Sequence, residues 1–260
     1  MLIQGRLVPF IGLVVISLVT YILTKMEWTP TIRKIPAFDA IEEAIGRATE
    51  LGRPVHITPG TGSLNTQSTG PSLLAGLATV SYTAGICAKL DTPLLVSIGS
   101  SDAIALTQSL IKQAYMLEGN PEGYDDNIIH YFPGRDTGVY TLAFTNSVMG
   151  LMSREKPAAN IMIGPFYGEQ IALCEIAARE GAITIGGTQA ITQMAVFAAI
   201  SDYVVIGEEI FAAGAYISQD PIQLKTIAGG DFGKVSAIGL IILGVLLKMI
   251  GFDLSSLFGV

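Results

Sequence analysis

Residues 54–63 read PVHITPGTGS, a short β-branched run that stops at a Pro-Gly turn. Residues 71–90, PSLLAGLATVSYTAGICAKL, follow as an apolar segment of helix length, and PLLVSI at 93–98 is a second short run. Strand, glycine-rich turn, helix and strand make the unit of a parallel sheet, because parallel neighbours need a long crossover, usually a helix. The alternation continues downstream. Runs at 127–132, 160–163, 182–185 and 203–206 are predicted strands, and 102–118, 138–154, 167–180, 189–200 and 209–217 are predicted helices. Strands that are apolar throughout suit a sheet covered on both faces. The expected fold is therefore a doubly wound α/β domain with a mostly parallel, Rossmann-like sheet. A helix at 37–51 precedes the first strand. Its apolar residues Phe38, Ile41, Ala44, Ile45, Ala48 and Leu51 recur at spacings of three and four, and Gly52 stands at the C-cap position.

Two apolar segments flank this pattern. Arg6 and Lys25 bracket eighteen uncharged residues, roughly 27 Å of helix, enough to cross a hydrocarbon core. The second segment, 235–252, carries a single charge, Lys248, near its far end. Residues 7–24 and 235–252 are predicted transmembrane helices, 25–35 a linker and 36–230 the α/β domain. The competing reading of the first is a signal peptide, against which no small-x-small cleavage site follows Thr24. The competing reading of the second is a buried C-terminal helix. Trp28 suits a membrane interface, and Pro30 and Pro36 keep the linker extended. Lys25, Arg33, Lys34 and Lys234 lie on the domain side, against Arg6 and Lys248 beyond it. The expectation is a two-pass protein of the cell membrane with its α/β domain in the cytoplasm. Cys87 and Cys174 fall inside predicted helices, as reduced, buried thiols do.

The chain has 260 residues, of which 50% are hydrophobic and 14% charged, whereas soluble domains average about 25% charged. Disordered chains and disulfide scaffolds are excluded. The flanking segments do not explain the deficit. Residues 36–230 hold nine Lys/Arg and nineteen Asp/Glu, again 14% charged, with a net charge of −10 that makes nucleic acid an unsuitable partner. The deficit is concentrated at 54–88 and 182–201, which contain no charged residue at all. A helix on a monomer surface normally shows a charged outer face. These helices are central within the monomer, exposed to lipid, or covered by another copy of the chain; the last is the expectation. The predicted self-interface comprises Leu74, Ala75, Ala78, Tyr82, Met194 and Phe197. Head-to-tail contacts of this kind close into a ring or extend into a larger array.

Ligands of open parallel sheets bind beyond the carboxyl ends of the strands. Those ends supply the candidate binding residues Gly60, Thr61, Gly62, Ser63, Ser101, Asp102, Thr188, Gln189 and Glu208, suited to a small anion or nucleotide. Known fingerprints are absent. Asn65 stands where a dinucleotide loop has its third glycine, no Lys-Ser/Thr pair marks a P-loop, and no nucleophile elbow or Cys-x-x-Cys occurs. Ser100, Ser101 and Thr188 also suit helix N-caps. Asp102, Glu208 and Glu209 are placed for acid–base work or equally for capping and solvation. The Arg135–Asp136 pair can clamp an anion or form a surface ion pair. His56 and His130 fall mid-strand, where structural hydrogen bonding outweighs catalysis, and they can approach one another only if their strands are adjacent. No catalytic residue, metal site or cofactor is assigned.

The first span, the run Val55-His-Ile-Thr-Pro-Gly-Thr-Gly62, the later Ile163-Gly-Pro-Phe-Tyr-Gly-Glu-Gln170 and the second span together resemble an uncharacterised prokaryotic family of two-pass membrane proteins. The resemblance covers most of the chain and implies the layout, but no activity. Two functions compete: a membrane-anchored scaffold that self-assembles through its α/β domain, and a ligand-binding domain or enzyme that uses the strand-end glycine loops.

Overall fold

A computed structural model describes residues 7–25, 33–134, 140–218 and 221–249. Arg6, Trp28, Pro30, the Arg135–Asp136 pair and the end of the second predicted span lie outside the described residues. The chain divides into two units. One contains the helices α1 (Leu7–Lys25) and α9 (Pro221–Met249), which pack on each other. The other, Lys34–Ile217, is the α/β unit.

Within α9, the stretch Leu224–Leu246 is long and apolar enough to cross a membrane and is almost wholly uncovered. It begins upstream of the predicted span, and the α/β unit ends before residue 230. Lys234, which brackets the predicted span on the domain side, lies inside α9, where its Nζ meets Asp231 Oδ1 one turn away at 2.9 Å.

The α/β unit runs α2 (Pro36–Leu51), β1 (Val55–Thr58), α3 (Gly70–Leu90), β2 (Leu94–Ile98), α4 (Ile104–Leu117), β3 (Ile129–Tyr131), α5 (Tyr140–Glu155), β4 (Ala159–Ile163), α6 (Gln170–Arg179), β5 (Ile183–Thr188), α7 (Ile191–Ile200), β6 (Tyr203–Ile206) and α8 (Glu209–Ser218). The six strands form one all-parallel sheet in the order β3-β2-β1-β4-β5-β6. The order reverses between β1 and β4, as in doubly wound folds. Gly52 closes α2 at φ 60°, the left-handed cap expected of it. The third strand is shorter than predicted because two short 3-10 turns, Pro121–Gly123 and Asp126–Ile128, occupy the approach to it. The fifth is longer: Gly186, Gly187 and Thr188, expected in a loop, continue the ladder against Val204, Val205 and Ile206.

One sheet face, with Val55, Ile57, Val96, Ile98 and Ile161, packs under α2, α3, α4 and α8. The other packs Met162 and Phe166 under α5, α6 and α7. This arrangement corrects part of the predicted self-interface. Helix α3 lacks charge before Lys89 in its last turn because it is central: α2 lies to one side, α4 to the other and the sheet beneath. It too is long and apolar enough to cross a membrane, and most of it is buried. Ala75 is buried inside the unit, Ala78 and Tyr82 are half-buried, and Tyr82 Oη donates to Glu42 Oε1 at 2.6 Å, leaving only Leu74 exposed. Phe197 is also internal. It is 0% exposed, and its ring meets that of Phe166 edge-on at 5.3 Å. A Cβ on Gly186 would overlap it, which is why the strand carries glycine there. The rest of α7 differs from α3. Met194 is half-buried, while Ile191, Ala195, Ala198, Ala199 and Ile200 are exposed with no charged residue among them.

Arg53 fastens the amino end of the sheet. Its guanidinium donates to the carbonyls of Lys156 at 2.7 Å, Pro157 at 3.0 Å and Glu180 at 2.8 Å, joining the start of β1 to the turns that feed β4 and β5. Arg53→Ala is expected to cost about 2 kcal/mol, since charged donors to carbonyls are worth more than neutral ones. Arg53→Lys should recover less than half of that, because an ammonium lacks the planar fork. Thermal melts of the full chain in detergent, followed by circular dichroism, measure both.

Candidate functional site

The reversal between β1 and β4 is where a doubly wound sheet opens a crevice. Here two Pro-Gly loops fill it. The segment after β1 (Pro59, Gly60, Thr61, Gly62) lies against the segment after β4 (Gly164, Pro165, Phe166), with Thr61 N donating to Pro165 O at 3.1 Å. A Cβ on Gly60 or Gly62 would overlap Pro165, and one on Gly164 would overlap the Pro59 carbonyl. Gly60 and Gly164 also hold positive φ, at 91° and 149°. Gly60 and Gly62 were expected to admit a ligand. Their α-carbons face the loop after β4.

Thr61 is buried and donates through Oγ1 to Glu169 Oε1 at 2.5 Å, while the second carboxylate oxygen accepts from Tyr167 N at 2.9 Å. Gln170 continues this cluster. Its Oε1 accepts from Gly168 N, and its amide meets Gln193 Oε1. Glu169 and Gln170 were not among the candidate residues; the sequence reading placed them at a helix start and in the run 163–170 that carries the family resemblance.

Asp102 is the second focus. Oδ2 accepts from Ser63 Oγ at 2.7 Å, Leu64 N at 2.9 Å and Asn65 Nδ2 at 3.3 Å, and Oδ1 accepts from Ser100 Oγ at 2.5 Å. Desolvation pushes this carboxyl upward, but the hydrogen bonds from Ser100, Ser63 and the backbone of Leu64 and Asn65 outweigh it and hold it below its ordinary value. The loop amides that would bind an anionic ligand thus bind a carboxylate of the chain itself. The structure brings Ser63 and Asp102 together but leaves the other candidates dispersed. Ser100 precedes the 3-10 turn Ser101–Ala103 without capping it, because its hydroxyl is turned to Asp102. Ser101 is the first residue of that turn, so it is not an N-cap. Thr188 ends β5 and is buried, and Ala190 takes the N-cap place before α7. Gln189 donates to Ser68 O at 2.8 Å. Glu208 is exposed after the edge strand β6, and Glu209 Oε2 accepts from Ile206 N at 3.0 Å.

A third cluster lies inside the sheet. His56 pairs in register with Asn160 on β4, and Ser97 pairs with His130 on β3. His56 and His130 are therefore separated by β2 rather than adjacent. His56 Nδ1 lies 2.8 Å from Asn160 Oδ1, and Nε2 lies 3.0 Å from Ser97 Oγ. With the amide oxygen facing it, Nδ1 carries the proton and Nε2 accepts from the serine hydroxyl. This is the connectivity of a nucleophile–base–orienter relay, but His56, Ser97 and Asn160 are each fully buried. Burial lowers the imidazole to about 4; the Asn160 hydrogen bond opposes that shift and nearby His130 adds to it. Asn160 Nδ2 and His130 Nε2 are buried without a hydrogen-bond partner. The sequence shows only isolated polar residues, His56, Ser97, His130 and Asn160, in strands that otherwise read as apolar, and the register of the sheet is what gathers them. Among the described residues, no three His, Cys, Asp or Glu side chains gather in a metal-binding group.

The relay makes the fold acid-sensitive. Unfolded His56 binds a proton near its ordinary 6.5, whereas folded His56 binds one only near 4. Between those values the unfolded chain holds more protons, so stability falls as pH drops from 6.5 and the loss is complete near 4. That loss amounts to about 3 kcal/mol. Denaturant midpoints across this window should fall, and those of His56→Gln should be lower at neutral pH but flatter. The contribution of Asp102 is present above 3.8 and disappears as pH falls through its lower folded value, so it extends the acid loss below that window.

Over residues 2–258 the chain matches the model of a domain of unknown function, DUF6754, and it belongs to that family. No curated protein and no solved structure matches it.

Proposed function

We propose that this chain is a membrane-anchored structural protein whose α/β unit assembles with other copies of itself. The observation that carries the proposal is α7. Helix Ile191–Ile200 has no charged residue, and its outer side, Ala195, Ala198 and Ala199, is exposed beside the edge strand β6. Small side chains on an uncharged helix permit close approach of a second backbone, and an edge strand has a strand neighbour on one side only. The self-interface is accordingly drawn around α7 and Leu74, without Ala75 or Phe197. The apolar helices α1 and α9 supply the anchor, and the domain side of that anchor is the cytoplasm.

A ligand-binding role at the strand ends has less support. Its glycines are taken up in loop packing, and its best anion cradle is filled by Asp102.

Particle mass in mild detergent tests the assembly. The unmodified chain should be oligomeric, and Ala198→Glu should shift it to monomers without loss of helical content, since a carboxylate desolvated at an apolar contact has no partner. A monodisperse monomer for the unmodified chain, at protein concentrations matching those in the membrane, overturns the proposal.

A further inference from the structure

We infer that residues 63–69 are a strap closed over an oxyanion site at the N-terminus of α3, with Asp102 as its latch. The ligand class is a small molecule that carries a phosphate group. Residues 63–69, SLNTQST, lie in the connection from β1 to α3. Leu64 is their only apolar side chain and is half-buried, while Asn65, Gln67 and Ser68 are exposed. Two polar contacts from other strand ends hold the segment down. Asp102, after β2, accepts from Ser63 Oγ, Leu64 N and Asn65 Nδ2. Gln189, after β5, donates to Ser68 O at 2.8 Å. The segment also closes on itself, since Thr69 Oγ1 donates to Ser63 O at 3.0 Å and Thr69 N to Thr66 O at 3.1 Å. A segment with few buried apolar contacts opens locally while the core stays folded.

Helix α3 starts where the strap ends. It is 21 residues long and has no acid in its first turn, and Thr69 at the N-cap makes no capping bond because its hydroxyl is turned to Ser63. Helix N-termini present N–H donors and partial positive charge to anions. Ser72, in that first turn, is the independent sign of a ligand. It is 0% exposed, and its Oγ has no hydrogen-bond partner. Thr79 of the same helix satisfies its hydroxyl on the carbonyl one turn back, Ala75 O at 3.2 Å. The corresponding carbonyl for Ser72 is Ser68 O, which accepts from Gln189 instead. Ser72 stands one turn before Gly76, so both lie on one face of α3. That face meets Pro59 and the Ile163 carbonyl, where a Cβ on Gly76 would overlap. Helical side chains lean toward the N-terminus, which directs Ser72 at the loops after β1 and β4, the switch point where doubly wound sheets seat ligands. A buried hydroxyl without a partner is costly, and an oxyanion supplies the acceptor.

The donors define the ligand. Residues 54–88 contain no Lys or Arg, so the site binds through Ser72 Oγ, the amides at the start of α3 and, once Asp102 lets go, Ser63 Oγ and Leu64 N. Neutral donors of this kind hold phosphate groups in glycine-rich loops. Asp102 competes for the strap donors, and the closed strap covers Ser72. Whatever frees the carboxylate raises the open fraction and, with it, the apparent affinity. The inference is independent of self-assembly and of the terminal helices.

The test uses the full chain in detergent, with inorganic phosphate as the probe. Asp102→Asn keeps the side-chain size and removes the charge. Hydrogen exchange of residues 63–69, read by mass spectrometry, should speed up in Asp102→Asn while that of β1 and β4 stays unchanged. Titration calorimetry should show phosphate binding about tenfold tighter than in the unmodified chain, with no heat from potassium chloride at matched ionic strength. Adding Ser72→Ala to Asp102→Asn should abolish that gain. Ser72→Ala alone should leave the melting temperature unchanged or raise it, because it removes a hydroxyl that has no partner. If exchange speeds up but phosphate binds no tighter, the strap covers no oxyanion site and the inference is overturned. It is overturned equally if the double variant binds phosphate as well as Asp102→Asn does, or if exchange of 63–69 keeps its unmodified rate. Should Asp102→Asn lose its helical circular dichroism, Gln189→Ala releases the other contact and is read by the same three outcomes.

Discussion

The absence of side-chain volume where β1 and β4 diverge is the constraint on which the rest of the structure depends. Gly60, Gly62, Gly76 and Gly164 each stand where a Cβ would overlap neighbouring chain: Pro165 for the first two, the Ile163 carbonyl for Gly76 and the Pro59 carbonyl for Gly164. Gly76 allows α3 to settle directly on the strand ends, and that depth makes α3 a core helix flanked by α2 and α4. The same close approach brings the loops after β1 and β4 together at the point where doubly wound sheets place their ligands. Thr61 and Glu169, brought together by it, satisfy one another out of water.

The two sheet faces then divide the work of stability differently. The face under α2, α3 and α4 is aliphatic, with Val55, Ile57, Val96, Ile98, Ile161 and Ile163. The face under α5, α6 and α7 places His56, Ser97 and Asn160 in one buried row, ordered by register and not by loops. Such a row is stabilising while each member is hydrogen-bonded and the imidazole stays neutral, and costly once it must carry a proton. The unpartnered amide of Asn160 shows that the row is not fully satisfied.

Much of the fold was legible because it rests on local pattern. Apolar runs of strand length, helices between them and Gly52 as a cap identified all six strands and the parallel sheet. Failures arose where a residue's meaning depends on a distant partner. Gly186 and Gly187 read as a loop, but Phe197, Ser201 and Val205 occupy the space their side chains would need. Ser100 read as a cap, but its hydroxyl is held by Asp102. At the candidate site the sequence does not separate the roles, since glycine at a strand end is demanded equally by a phosphate and by a second loop. Asn160 went unnoticed because one polar residue in an apolar strand says nothing until the register sets it beside His56.

Scarcity of charge has two separate origins that composition merges. Residues 54–88 are uncharged chiefly because they are interior, comprising β1, the packed loop and α3, so no neighbour is required to explain most of them. Residues 182–188 are interior in the same way, as β5, but α7 is not: only Phe197 is buried, Gln193, Met194 and Val196 are half-buried, and the rest of the helix is exposed without a charge. A surface helix without charge gains nothing from water that a polar residue would not improve, so its composition points to a medium other than water around it.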